Sequence, residues 1–215
     1  MSGFFFLHPS CSNQVTVLPT THKPFSTPEH FGRHLARLEQ LYASMDRSYK
    51  NTADHYGFAC NGCEDNCCLT LFHHHTHLEF FYLSKGFRAL DRKRQLAIRE
   101  KAEAVCSAVQ SAERNGPPPR QMCPLNFDNR CCLYAYRPMI CRLHGIPSEL
   151  HRPDGQTSRT PGCASFVEHC GQMTYIPFDR TPFYQVLAGI EQALRRDLPG
   201  AGKIKMTVAE MILAF

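Results

Sequence analysis

Apolar residues recur at helical spacing in most of this chain and lose all period in two cysteine-bearing stretches. Phe31, Leu35, Leu38, Leu41, Tyr42 and Met45 follow one another at intervals of mostly three and four, so they share one face of an amphipathic helix. Thr27-Pro28-Glu29 reads as its start, with Thr as N-cap, Pro at the first helical position and an acid in the first turn. Its end is expected between Tyr49 and Asp54. Leu78–Leu83 predicts a buried helical segment interrupted near Gly86. A longer helix is expected from Asp91 to about Asn115, with Leu90, Ala97, Ala102, Val105, Ala108, Val109 and Ala112 inward. Gly116 and the three prolines after it stop that helix. Thr181-Pro182 opens another, with Phe183, Val186, Leu187, Ile190 and Leu194 inward, ending before Pro199-Gly200. Thr207-Val-Ala-Glu210 is a capping box for a short helix carrying Met211, Ile212 and Leu213.

The aperiodic stretches carry the chemistry. Cys60-Asn-Gly-Cys63-Glu-Asp-Asn-Cys67-Cys68 is a loop by composition, the kind of backbone whose amides can turn toward sulfur. Cys123 to Arg142 holds Cys123, Cys131, Cys132 and Cys141. Asn126–Arg130 is turn sequence, so Cys123 and Cys131 are expected to face each other across a tight hairpin. Leu133, Tyr134 and Tyr136 would supply an apolar cover. Pro138 suits the start of a short helix with Cys141 in its first turn, where the helix dipole favours thiolate. Arg137 and Arg142 flank that cysteine and are candidate cofactor-binding residues, offsetting thiolate charge. The expected fold is mainly α: a small helical domain, residues 27–215, packed around an irregular, cysteine-rich, loop-based metal site. Residues 1–26, with Pro9, Pro19 and Pro24, read as an irregular arm.

Composition narrows the function. Of 215 residues, 43% are hydrophobic and 20% charged, as in soluble globular proteins. The net charge of +5 is spread along the chain, so no nucleic-acid partner is expected. The basic run Arg88, Arg92, Lys93, Arg94, Arg99 and Lys101 reads as a solvated helix face. No stretch is apolar and long enough for a bilayer, and the opening residues lack a basic n-region, their apolar run broken by His8 and Pro9. No membrane association and a cytoplasmic, reducing location are expected. Twelve cysteines in that setting mean metal or redox chemistry.

The candidate ligands are Cys60, Cys63, Cys67, Cys68, Cys123, Cys131, Cys141 and Cys163. Cysteines three positions apart can chelate one ion. The neighbours Cys67 and Cys68 point apart, so one ligates while the other packs, or they serve different metal atoms. Cys106 is expected to behave as a small hydrophobe, and Cys170 to end a polar turn; Cys11 lies in the arm. His73 and His77 of the run His73-His74-His75-Thr76-His77 would share a face if helical. Polar residues are ordinary where a helix starts, so the run is not taken into the ligand set. His22, His30 and His34 read as surface or half-buried.

The pattern Cys131-x-x-Tyr134-x-x-Arg137-Pro138-x-x-Cys141-Arg142, with Cys60, Cys63, Cys67, Cys68, Cys123-Pro-Leu and Pro161-Gly162-Cys163, resembles the YkgJ-type cysteine-cluster proteins. These are described as zinc- or iron-chelating, the CxxCxxCC family. The resemblance spans roughly residues 58–165 and departs from the family in Cys63-x-x-x-Cys67, one residue longer than the label, in Cys132 and in the histidine run. It implies metal binding. A related module in flagellin lysine-N-methylases links some members to protein modification. The favoured expectation is an iron–sulfur cluster, [4Fe–4S], on four of the eight cysteines, with a redox or accessory role and a redox or other protein partner. The alternatives are a zinc-binding structural or sensory module, a metal-dependent modifying enzyme and a disulfide scaffold. No GxGxxG, P-loop or HExxH motif is present, and enzyme status stays open.

Overall fold

The computed structural model describes residues 31–60, 67–116, 120–198 and 200–215. The expected arm 1–26 and the expected helix start at Thr27–Glu29 lie outside them. The fold is mainly α: 57% of it is helical, with seven α-helices and two short two-stranded sheets among the described residues. Helix α1 spans Gly32–His55, ends one residue beyond the expected range, and buries all six residues of the expected stripe. Two 3-10 turns, Cys67–Leu69 and Tyr134–Tyr136, flank α2 (His77–Arg88), α3 (Arg92–Asn115) and the hairpin β1–β2 (Asn126–Phe127, Arg130–Cys131). One turn of helix, α4 (Met139–Arg142), precedes a second hairpin, β3–β4 (Ser148–His151, Thr157–Thr160), and then come α5 (Ala164–Cys170), α6 (Thr181–Arg196) and α7 (Val208–Ala214). The capping box of α7 is complete: Glu210 N donates to Thr207 Oγ1 at 3.2 Å and Thr207 N to Glu210 Oε2 at 2.7 Å.

Two apolar cores share α2. Leu78 and Tyr82 join α1, α4, α5 and α6 in the first; Phe80, Leu83 and Phe87 join α3, α7 and Leu133 in the second. A helix with apolar residues on every side is buried, and α2 is. Its start is held by two buried carboxylates. Glu191 of α6 accepts from His77 N (3.1 Å), His77 Nδ1 (2.9 Å) and Leu78 N (3.0 Å), so it satisfies amide donors that the helix itself cannot. Glu79 bonds Thr76 Oγ1 (2.7 Å) and Tyr42 of α1 (3.4 Å), and it accepts from Met139 N, the start of α4, at 2.8 Å. Burial raises the Glu79 carboxyl above its ordinary value despite these donors. For Glu191 burial also acts upward, but the His77 and Leu78 donors outweigh it and hold the carboxyl below its ordinary value.

Several expectations change in three dimensions. The interruption at Gly86 is absent, since α2 runs through it. The glycine is there because the Tyr136 ring lies where a Cβ would stand. In α3 Ile98, outside the expected inward set, is fully buried beside the expected Ala102, and in α6 Val186 is exposed while Glu191 is buried. Period alone does not say which neighbour a helix face meets. His34 is buried, with Nε2 2.7 Å from Asp197 Oδ2. Cys170 ends a helix, buried, where a polar turn was expected. The basic run is partly consumed: Arg94 and Lys101 lie over the Phe127 ring at 4.2 and 3.6 Å, and Arg99 donates to the Ile212 and Phe215 carbonyls. Among the described residues no helix is long and apolar enough to cross a membrane.

Gly86→Ala is expected to destabilise the protein by about 2 kcal/mol, the usual scale of overpacking, measured by urea denaturation. Glu79 gives a pH signature. The folded protein holds its proton more tightly than the unfolded chain, so stability from this group is greatest below its ordinary value of 4.5 and declines as the pH rises through the folded value. Glu79→Gln, which keeps an oxygen for Met139 N–H, is expected to remove that decline in urea titrations from pH 4 to 8. Glu79→Ala strands the amide and is expected to cost about 3 kcal/mol at every pH.

Candidate metal centre

The two cysteine stretches meet through their backbones. Cys123 N donates to Cys68 O at 2.8 Å, so the loop that follows α1 and the segment that follows α3 form one wall. Beyond Cys123 the chain turns as expected: Asn126 pairs with Cys131 and Phe127 with Arg130. Asp128 and Asn129 between them have φ of 52° and 61°, the left-handed pair that a two-residue hairpin turn demands and that Asp and Asn tolerate. The hairpin is fastened to α3 by Lys101, whose Nζ donates to Asn126 O at 2.9 Å. Cys141 arrives on α4, which Glu79 fixes by its first amide.

These elements enclose a cavity of about 800 Å³ lined by Cys60, Cys67, Cys68, Cys123, Cys131 and Cys141. Apolar residues such as Leu71, Phe72, Val105, Leu125 and Val208 share its wall with His74, His144, Arg130 and Arg137. The sulfurs are close enough that Cys68, Cys131 and Cys141 oppose the ionisation of Cys123, and Cys68 that of Cys131 and Cys141. Six of the eight expected ligands are thus in one place. Cys63 lies outside the described residues. Cys163 stands apart from the cavity wall and caps α5, its sulfur accepting from Phe166 N at 3.4 Å. Cys132 packs toward the second core, where Arg94 and Lys101 are its charged neighbours. Cys106 is buried in the same core, as expected of a small hydrophobe. Among the described residues no disulfide is present, and no three His, Cys, Asp or Glu side chains are grouped so as to hold a metal ion.

The electrostatics differ from the expected helix-dipole effect. Burial, then the charges of Cys131 and Cys68, push Cys141 up to about 12, and Arg137 only moderates this. A single turn of helix has too few aligned peptides to compete with desolvation. Burial likewise carries Cys131 to about 11 and raises Cys123. The thiolate of the set is Cys68. A hydrogen bond from Cys67, another from the Asn126 side chain and the Arg137 charge outweigh burial and lower it to about 6, while Cys67 rises as the donor.

The two arginines divide. Arg137 lines the cavity, its guanidinium 3.4 Å above the Tyr134 ring and hydrogen-bonded to the Tyr134 and Cys141 carbonyls. Arg142 also reaches the cavity, but its donors are spent on Asp46 (2.7 Å) and on the Arg137 and Ala135 carbonyls, and its plane lies 4.1 Å from the centre of the Tyr42 ring. Of the expected cover, Tyr134 is on the wall; Leu133 and Tyr136 turn into the cores.

Three wall residues escaped the sequence reading. Asn126 read only as a turn residue, and His144 carried no signal. His74 had one: flanked by exposed neighbours, it is buried by strand alternation. Burial holds its imidazole down to about 4, hence uncharged near neutral pH. No family model matches this chain, and neither a curated protein nor a solved structure matches it.

Alkylation of the metal-free protein reads this asymmetry. Cys68 is expected to react with iodoacetamide at lower pH than the other wall thiols, while Cys131 and Cys141 stay unmodified at neutral pH until the protein unfolds. Cys67→Ala removes the largest stabilising contact and is expected to shift the Cys68 midpoint upward, followed by mass spectrometry of the labelled peptide.

Proposed function

We propose that the thiol-lined cavity holds an iron–sulfur cluster and that the protein acts through it as a redox or accessory component; the resemblance to the YkgJ-type cysteine-cluster proteins implies metal binding, with iron–sulfur or zinc. The observation that carries it is the convergence of Cys60, Cys67 and Cys68 with Cys123, Cys131 and Cys141 on one cavity, closed by the Cys123–Cys68 backbone bond.

The donor set fits such a group. Thiolates are the soft ligands that iron–sulfur clusters and zinc both take. A lone zinc ion gathers four donors about a point, with sulfur about 2.3 Å away. A cluster takes one protein donor at each iron, so its ligands stand spread around a cavity. Six cysteines drawn from separate segments of the chain onto one cavity wall suit the second arrangement. When bound, the cluster supplies one-electron transfer.

The chain's own residues have separable tasks. Cys68, Cys123, Cys131 and Cys141 would hold the group, with Cys60 and Cys67 beside them. Arg137 offsets thiolate charge. The Asn126 side chain, hydrogen-bonded to the Cys68 sulfur, would tune the potential, as donors to sulfur do. Leu71, Phe72, Leu125 and Val208 limit water at the wall.

Anaerobic purification followed by iron, sulfide and zinc analysis with a visible spectrum tests the proposal. A brown protein that bleaches on reduction is the expected result; a colourless one with stoichiometric zinc overturns it. Cys131→Ser and Cys141→Ser are expected to lose most of the bound iron, whereas Cys132→Ser and Cys163→Ser, away from the cavity, keep it.

A further inference from the structure

We propose that His74 supplies a nitrogen ligand to the same centre, so that its donor set is mixed cysteine and histidine. This rests on the metal-centre reading above and deepens it.

The histidine run is sorted by its backbone. Residues in extended conformation alternate between two faces, and here His73 and His75 are exposed while His74 is buried, 3% exposed, on the cavity wall. Its position is clamped on both sides: His74 N donates to Met206 O at 2.7 Å and Met206 N to His74 O at 3.0 Å. Thr207 and Ala209, just beyond Met206, line the same cavity. A ligand held this rigidly gives up little entropy on binding.

What singles out His74 is its unspent ring. His34 and His77 are buried too, but each has one ring nitrogen on a carboxylate, Asp197 at 2.7 Å and Glu191 at 2.9 Å. Among the described residues the buried Nε2 of His74 has no hydrogen-bond partner; His34 Nδ1 and His77 Nε2 share that state, but neither residue lines the cavity. A buried polar atom without a partner is costly, and such exceptions in a folded protein call for a ligand, an ion or a water. On a wall that also carries six thiols, a metal is the partner whose chemistry suits an unprotonated imidazole nitrogen. A histidine at one iron also has a predictable electronic effect, since replacing thiolate by imidazole raises the reduction potential. His144 shares the wall but sets its ring against Phe72, centroids 5.7 Å apart, and serves as the control.

The test uses the full-length protein loaded anaerobically with iron and sulfide. In pulsed electron paramagnetic resonance of the reduced protein, a strong coupling to one nitrogen-14 nucleus is expected. It is lost in His74→Ala and kept in His144→Ala. If His74→Ala fails to fold, judged by circular dichroism, His74→Cys decides: it is expected to keep iron and sulfide, lose the nitrogen coupling and show a lower potential. For protein that takes up zinc, X-ray absorption is expected to show one nitrogen among the sulfur neighbours, absent from His74→Cys. Metal bound through sulfur alone, or a coupling that survives in both His74 variants, overturns this inference and leaves the metal-centre reading standing. A protein that binds neither iron nor zinc overturns both.

Discussion

Two carboxylates buried at the start of α2 hold the architecture together. A helix leaves its first amides unpaired, and a helix placed between two apolar cores has no water nearby to satisfy them. Glu191 reaches across from α6 to the His77 and Leu78 amides. Glu79, capped locally by Thr76, passes its remaining capacity to Tyr42 and to the first amide of α4. The same few contacts therefore join α1, α2, α4 and α6 and set where Cys141 stands. Carboxylates suit this task because negative charge is favoured at a helix start, while burial makes each one expensive unless every donor is in place.

Burial also governs the thiols. Enclosing several sulfurs in an apolar wall disfavours charge on each, and their mutual repulsion adds to it. Cys68 escapes because Cys67, Asn126 and Arg137 are all directed at it. Charge is thus favoured at Cys68 and disfavoured at Cys123, Cys131 and Cys141. The proposed metal uptake would release protons from those thiols and so link affinity to pH. A neutral donor such as His74 would add ligation without adding charge.

Local rules carried much of the fold. The six-residue stripe of α1, the stop of α3, the Thr207–Glu210 capping box and the turn between Asn126 and Arg130 rest on interactions within a few residues, and each stands where it was expected. Reasoning failed where a partner from elsewhere decided. Gly86 looked like a break and is a space for Tyr136; Arg142 looked like a counter-charge and is tied to Asp46. The hairpin Ser148–Thr160 was not anticipated; besides its own ladder it is tied to a distant segment, with Glu149 N donating to Phe178 O.

By itself, the sequence determined that this is a mainly helical protein with two thiol-rich turns, because hydrophobic period, caps and turn residues act over one or two helical turns of chain. Only the tertiary structure decided that Cys60, Cys67 and Cys68 face one cavity with Cys123, Cys131 and Cys141, that Cys68 is the thiol whose charge is favoured, and that His74 rather than its neighbours lies on the wall. Those outcomes depend on which surfaces meet and on how much water they exclude. Neither quantity is written in the spacing of residues along the chain.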